Sequence, residues 1–389
     1  MSQNKKTTSI LKASLFFLSF ILLVLFISNY QNLLINTIFL RTSQIRGITY
    51  TKSDINIKKV TDKDILLLLE NEDNSREITS TDLLYRAFKY FEPNETASQI
   101  LINNFYPNIL GFYSVDDTTL YISKKLFSFN TNTKANKYLI AHEFTHYLQD
   151  SKYSIRDIEE KFDLANEENA DRALSYLALL EGDATFTAMM YVNNNDIEKI
   201  EQALLNSFET LKDQDLHIYI KEITKFHYIE APLFVLNNYK INNNYSEIDY
   251  LYKTLELSSY NIINGENNYI TSNTNDILIN NVHTNEISIN EQYQEIYSNY
   301  SFGAWEIRMI LSRYVDEQEI QKLMKHMDGS TLWLWYNQNT NNYMIYWIIS
   351  LKESDSSVKD TLEKYCISAN QHCNIEPDEH TIYITVSSE

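Results

Sequence analysis

Apolar and polar positions follow three rhythms along this chain, and each predicts a kind of element. The first is helical. In "TDKDILLLLE" (61–70) and "STDLLYRAFKYFE" (80–92) apolar residues recur three and four apart, as on one face of a helix, so these segments predict a helical base. From about Lys134 to Asp150, Ala141, Phe144 and Leu148 recur on one stripe while His142 and His146 share another. A further helix, "ADRALSYLALLEGDATFTAMMYV" (170–192), puts Ala173, Leu177, Leu180 and Ala184 on one face and is more apolar than a surface helix needs to be, which predicts burial.

The second rhythm alternates. "ILGFYSVDDTTLYIS" (Ile109–Ser123) sets aromatic and β-branched residues on either side of a Val115-Asp116-Asp117 turn signal and predicts a hairpin. Residues 301–365 mix helical and strand-like patterns, including "AWEIRMILSRY" and "NYMIYWIISL", and the tail "HTIYITVSS" alternates like an edge strand. The stretch 263–294 is Asn-rich with weak periodicity and predicts a long loop or insertion. The expected fold class is α+β, predominantly helical, with a small sheet.

The third is unbroken apolarity. "ASLFFLSFILLVLFIS" (Ala13–Ser28) is uncharged and follows Lys5, Lys6 and Lys12, the pattern of a membrane-insertion segment. As a helix the run rises about 24 Å, somewhat less than a hydrocarbon core of roughly 30 Å, and its neighbours can extend it. No small-x-small cleavage pattern follows, which favours an uncleaved transmembrane anchor over a signal peptide. In both cases the lysines hold the N-terminus inside and send the remainder outside. The expected organisation is a cytoplasmic tail (1–10), an anchor (11–30), a linker (31–50) and an extracytoplasmic domain (51–389). That domain divides into a catalytic core at about 100–240 and a helical and strand-bearing part at about 241–389.

Charge narrows the partners. Acidic residues outnumber basic ones by 52 to 33 and are spread along the chain, which argues against a phosphate-binding surface and hence against nucleic acid. The two cysteines, Cys366 and Cys373, fit an oxidising compartment, where they would close a small loop; two unpaired thiols are the alternative.

Candidate chemistry centres on "AHEFTHYLQD" (141–150). Residues four apart on a helix lie one above the other, so His142 and His146 can converge on one metal ion. Glu143, about 100° round from His142, can reach a metal-bound water without being a ligand. Zn²⁺ suits this arrangement: it takes neutral imidazole, keeps a position open for water, and lowers that water's pKa toward about 7. Two histidines at this spacing by chance are the alternative. A catalytic zinc needs a third protein ligand, and two carboxylates compete, Glu167 in "NEENAD" and Glu181 in "LLEGDAT".

The chain resembles the gluzincin group of zinc metallopeptidases, in which a Glu on the helix after HExxH completes the site. More closely, "RGI", "GFYSVDDTTLYIS", "AHEFTHYLQD", "FDLANEENADRALSYLALLEGDAT", "HYIEAPLFV" and "AWEIRMIL" look like a little-characterised family of exported microbial proteins, over about 45–365. The resemblance implies a zincin-like fold, selects Glu181 over Glu167, and implies that a strand such as Thr118–Ser123 borders the cleft and pairs with an extended peptide. His227-Tyr228 departs from that family's Pro-Tyr, and its later proline-rich segment is hardly visible here.

Two further residues complete the expectation. Asp171 is a candidate to orient a metal-bound histidine, or else a first-turn acid favoured by the helix dipole. Tyr228, less so His227, is a candidate oxyanion donor, against the alternative of a core tyrosine in a chain with 29 of them. The expected protein is a membrane-anchored extracytoplasmic zinc metallopeptidase acting on a peptide or protein substrate, with Glu143 as general base. The competing expectation is a noncatalytic metal-binding surface protein whose ectodomain binds a partner.

Overall fold

Thr133 starts the histidine-bearing helix by accepting the N–H of Asn136, and Ser154, in the left-handed region at φ 56°, ends it. In the computed structural model, which describes residues 32–51, 55–72, 78–127, 133–265, 292–353, 355–378 and 380–388, this helix is part of a mixed α/β, mainly helical architecture. In chain order its elements are α1 (32–46), then β1 (Asn56–Val60), α2 (Asp62–Glu72), α3 (Ser80–Ala87), α4 (Ala97–Asn104), β2 (Gly111–Ser114), β3 (Thr119–Ser123) and α5 (Lys134–Tyr153). They continue with α6 (Ile155–Lys161), α7 (Ala170–Asn193), α8 (Ile197–Lys212), α9 (Ile218–Lys225), a π-helical turn (Phe226–Glu230) and α10 (Ala231–Asn242). After α11 (Ser246–Thr254) and α12 (Ser259–Asn264) come β4 (Gln294–Ser301), α13 (Ala304–Leu311), α14 (Glu317–His326), β5 (Met327–Asn337), β6 (Asn342–Leu351), α15 (Ser356–Ser368), β7 (His372–Asp378) and β8 (Thr381–Ser387).

Two sheets flank the helices. One has the order β1-β3-β2, with β1 parallel and β2 antiparallel to β3; the other is antiparallel with the order β4-β5-β6-β8-β7. The tail expected at an edge is therefore interior: β8 lies between β6 and β7. β7 takes the edge in its place, and its Pro377, which has no N–H to donate, suits that position.

Within the stretch 31–50, expected as a linker, residues 32–46 are helix. Ile35, Ile38 and Phe39 are buried, and Phe39 stacks on Phe144 of α5 with ring centroids 3.8 Å apart. Periodicity was present in "NLLINTIFL", but its apolar face is satisfied only because α5 and the first sheet meet it there. The expected anchor, Ala13–Ser28, lies outside the described residues, as does most of the expected loop at 263–294. Among the described residues no helix is long and apolar enough to cross a membrane.

One cluster of buried apolar side chains runs from Leu84 to Val386, so the parts expected at about 100–240 and 241–389 share one interior. A second, around Phe39, Leu120, Phe144 and Ala188, sits between α1, the first sheet, α5 and α7. Helix α5 is thereby enclosed on both sides. This explains why His142, Thr145 and Gln149 are buried along with its apolar stripe.

Candidate metal centre

Two helices and one wide turn build the site. Helices α5 and α7 pack side by side, and α7 also packs on the π-helical turn and α10. Gly182 permits that approach: a Cβ there would stand 2.7 Å from the backbone carbon of Ala231. The wide turn has its own cause. The ring of Pro232 would clash with the carbonyl of Tyr228 in a regular helix, and the chain instead bonds the Ala231 N–H back five residues to Phe226 O. The extra residue turns His227 and Tyr228 toward α7.

The imidazoles of His142 and His146 converge, with their Nε2 atoms 3.2 Å apart. Glu181, on α7, brings Oε2 to 3.3 Å from His142 Nε2 and Oε1 to 3.7 Å from His146 Nε2. These three residues are the group that could hold a metal ion among the described residues. The two histidine contacts fall on different oxygens of the one carboxylate, and with one ligand atom from each residue all three lie within 4.8 Å of one another, close enough to face a single ion. The chemistry of the donors fits as well: Glu181 Oε2 is buried and meets no hydrogen-bond partner, the kind of orphaned atom that a cation satisfies.

Hydrogen bonds behind the rings fix which nitrogen faces the centre. Gln149 points its amide nitrogen at Leu180 O, Asp183 Oδ2 and the Tyr252 hydroxyl, at 3.0, 3.1 and 3.0 Å. Its Oε1 is thus left to His146 Nδ1, 2.9 Å away. A carbonyl oxygen only accepts, so His146 carries its proton on Nδ1 and presents a lone pair at Nε2. For His142 the corresponding partner is the Thr185 hydroxyl, 3.4 Å from Nδ1.

Asp183 is itself held by a buried ion pair. Arg46, at the end of α1, lies 2.9 Å from it, and both side chains are fully buried. Arg46 also reaches Asp249 at 2.8 Å and donates to the Tyr153 hydroxyl at 3.1 Å. Gly47, at φ 73°, then ends α1 in a conformation that favours glycine. The path from Arg46 through Asp183 and Gln149 to His146 was not foreseen. Its sequence signals were the placing of Gln149 three residues after His146, and so on the same side of the helix, and the presence of Arg46 in "RGI" and Asp183 in "LLEGDAT" among the segments that carry the family resemblance.

Burial and charge tune the group. For Glu181, burial pushes the carboxyl up, but His146 and then His142 pull it down to about 2. Burial lowers both imidazoles. His142 nevertheless ends above its ordinary value through its contact with Glu181 and the charge of Glu143, whereas the more distant His146 stays below. Glu143 is pushed by burial up to about 7, with His142 opposing and Glu181 adding, while the Tyr113 N–H of β2 bonds its carboxylate.

The other expected residues are placed as follows. Tyr228 lies beside the centre, its hydroxyl against the Glu181 carboxylate and its ring centroid 6.3 Å from that of His142. His227 faces the same carboxylate, is pushed by burial down to about 4, and leaves Nε2 without a hydrogen-bond partner. Glu167 sits apart from the histidines and accepts the Ser298 N–H.

Two expectations are corrected. Asp171 does not orient a histidine. It bonds the N–H and hydroxyl of Ser259, because ten residues of helix, about 15 Å, separate it from Glu181. The strand Thr118–Ser123 cannot take up a peptide by strand addition, since β1 and β2 pair with both of its sides. Within that sheet the edge nearest Glu143 is β2.

A cleft of about 1000 Å³ opens onto the centre, with Glu181, His227 and Tyr228 in its wall. Ala173 and Leu177 line it too, two turns and one turn before Glu181. Part of the α7 stripe expected to be buried is therefore cleft wall, and Leu177 is 44% exposed. Comparison with protein-family models, with curated proteins and with solved structures finds no match to this chain.

Proposed function

We propose that the protein is a zinc metallopeptidase of zincin-like fold, anchored in a membrane by its N-terminal segment with the catalytic domain outside. The observation that carries this reading is the convergence of His142, His146 and Glu181, with ligand atoms within 4.8 Å of one another, and Glu143 next to a ligand but free of that role. A ligand set for a purely structural ion has no use for that extra carboxylate. The disulfide between Cys366 and Cys373 supports an oxidising location, and the lysines before Ala13–Ser28 support the orientation.

A zinc ion held by His142, His146 and Glu181 would polarise the scissile carbonyl and make a water molecule acidic near neutral pH. Glu143 accepts the proton as the water oxygen bonds to the carbonyl carbon. It passes that proton to the leaving amine as the C–N bond breaks. Tyr228, kept protonated by burial and by Glu181, donates to the oxyanion that forms between these steps. The cleft beside the centre receives the peptide.

The test is Glu143→Gln. The variant keeps one zinc per chain and loses at least about a hundredfold in digestion of an unfolded protein, the size of a lost general base. Cleavage at the wild-type rate would remove Glu143 from the mechanism. Full zinc loading of the wild type with no cleavage across a peptide library would remove the peptidase reading.

A further inference from the structure

At another part of the same cleft wall lies a polar group that the proposed chemistry leaves unused. Helix α13 presents Glu306, fully buried, from the segment "AWEIRMIL". Its Oε1 accepts the hydroxyls of Tyr85 and Tyr300 at 3.1 and 3.0 Å, with the Gly303 N–H alongside. Its Oε2 has no hydrogen-bond partner. Trp305, next in the wall, leaves its indole N–H unpaired, as His227 leaves Nε2. All three residues are more than nine-tenths buried and line the cleft.

A buried carboxylate is normally balanced by a cation. Here the opposite is found. The charged neighbour that acts on Glu306 most is another acid, Asp171, and burial pushes the carboxyl up to about 8. Arg308, two residues on, is committed elsewhere: it makes a two-pronged pair with Glu230 at 2.6 and 2.8 Å. The walls around Glu306 are the rings of Tyr85, Tyr219, Tyr300 and Trp305, and aromatic faces stabilise a cation that has left water. The missing partner is therefore a positive group with several N–H donors. The ring of His227 lies 6.4 Å from that of Trp305 and also faces Glu181, so the wall is continuous from the metal ligand to Glu306.

We infer that Glu306, Tyr85, Tyr300 and Trp305 form a specificity pocket for a basic side chain of the substrate, arginine above all. The guanidinium meets the free oxygen of Glu306 between the tyrosine rings, and the proton that burial keeps on the carboxyl is released to solvent as it binds. The indole N–H of Trp305 is left for a peptide carbonyl. This inference deepens the peptidase reading and uses its cleft, but it makes a claim about binding that stands apart from turnover.

The experiment compares two peptides, acetyl-Ala-Ala-Arg-Ala-Ala-amide and the same peptide with neutral citrulline in place of arginine. Calorimetry on the zinc-loaded full-length chain in the Glu143→Gln background keeps either peptide from being consumed. The arginine peptide is expected to bind at least about tenfold tighter, the scale of one charge-assisted hydrogen bond. Glu306→Gln, added to that background, abolishes the difference between the two peptides while zinc content stays unchanged. Equal affinities in the parent protein overturn the inference without recourse to any further variant. If the wild type cleaves neither peptide yet the preference is found, the pocket stands and the peptidase reading falls; cleavage with no preference gives the reverse.

Discussion

Gln149 Oε1 lies 2.9 Å from His146 Nδ1, and this contact decides which ring nitrogen of His146 faces the metal centre. The amide cannot turn round, because its nitrogen is surrounded by three acceptors in Leu180, Asp183 and Tyr252. The ring is thus oriented and its proton placed before any ion arrives.

Replacing Gln149 by leucine removes that constraint at nearly constant volume. Zinc affinity is expected to fall roughly ten- to a hundredfold, as for other partners of metal-bound imidazoles. Competition with a chromophoric chelator measures it. Unchanged affinity would mean that the ring is oriented by packing alone.

Arg46→Met tests the far end of the same path. The variant leaves the fully buried carboxylate of Asp183 without its cation, and removing one partner of such a pair costs about 3–5 kcal/mol. Adding Asp183→Asn removes the stranded charge and should restore part of the loss. Urea unfolding of the two variants gives the comparison; no recovery in the double variant would show that Asp249 or Tyr153 is the partner that matters.

Gly182→Ala places a methyl group 2.7 Å from the backbone of Ala231. Backbone cannot step aside as a flexible side chain can, so α7 must move. A loss of roughly 1–3 kcal/mol is expected, with weaker zinc binding because Glu181 is the preceding residue. Thermal melts with and without zinc read both effects, and a melt like that of the parent would refute the close approach.

Glu306 gives stability a pH dependence. Burial raises its folded pKa to about 8 from an ordinary value of 4.5, so between those limits the folded chain holds a proton that the unfolded chain has released. Its contribution is fully present below about pH 4.5 and is lost as the pH rises through about 8. The slope is at most about 1.4 kcal/mol per pH unit. In unfolding measured at several pH values, the wild type should lose stability relative to Glu306→Gln as the pH rises; a constant difference would contradict the shift.

The helical pairing of His142 with His146, the hairpin at Ile109–Ser123 and the long helices were legible because each depends on neighbours within a few residues. Periodicity and turn signals are local. The position of β8 inside its sheet was not legible, since alternation specifies a face and says nothing of which strands lie alongside. The helix at 32–46 was overlooked for a similar reason: its apolar face has meaning only once α5 lies against it.

The sequence by itself determined the donor types, their spacing on α5 and the presence of two acids downstream. The family resemblance already pointed to Glu181 over Glu167; tertiary structure alone decided that Asp171 turns away from the histidines, that Arg46 reaches Asp183 across the fold, and that Leu177 borders a cleft. The physical reason is range. Helix geometry carries information over one or two turns, whereas the separation of two helices is set by what packs between them, here the absence of a side chain at Gly182 and the wide turn that Pro232 imposes.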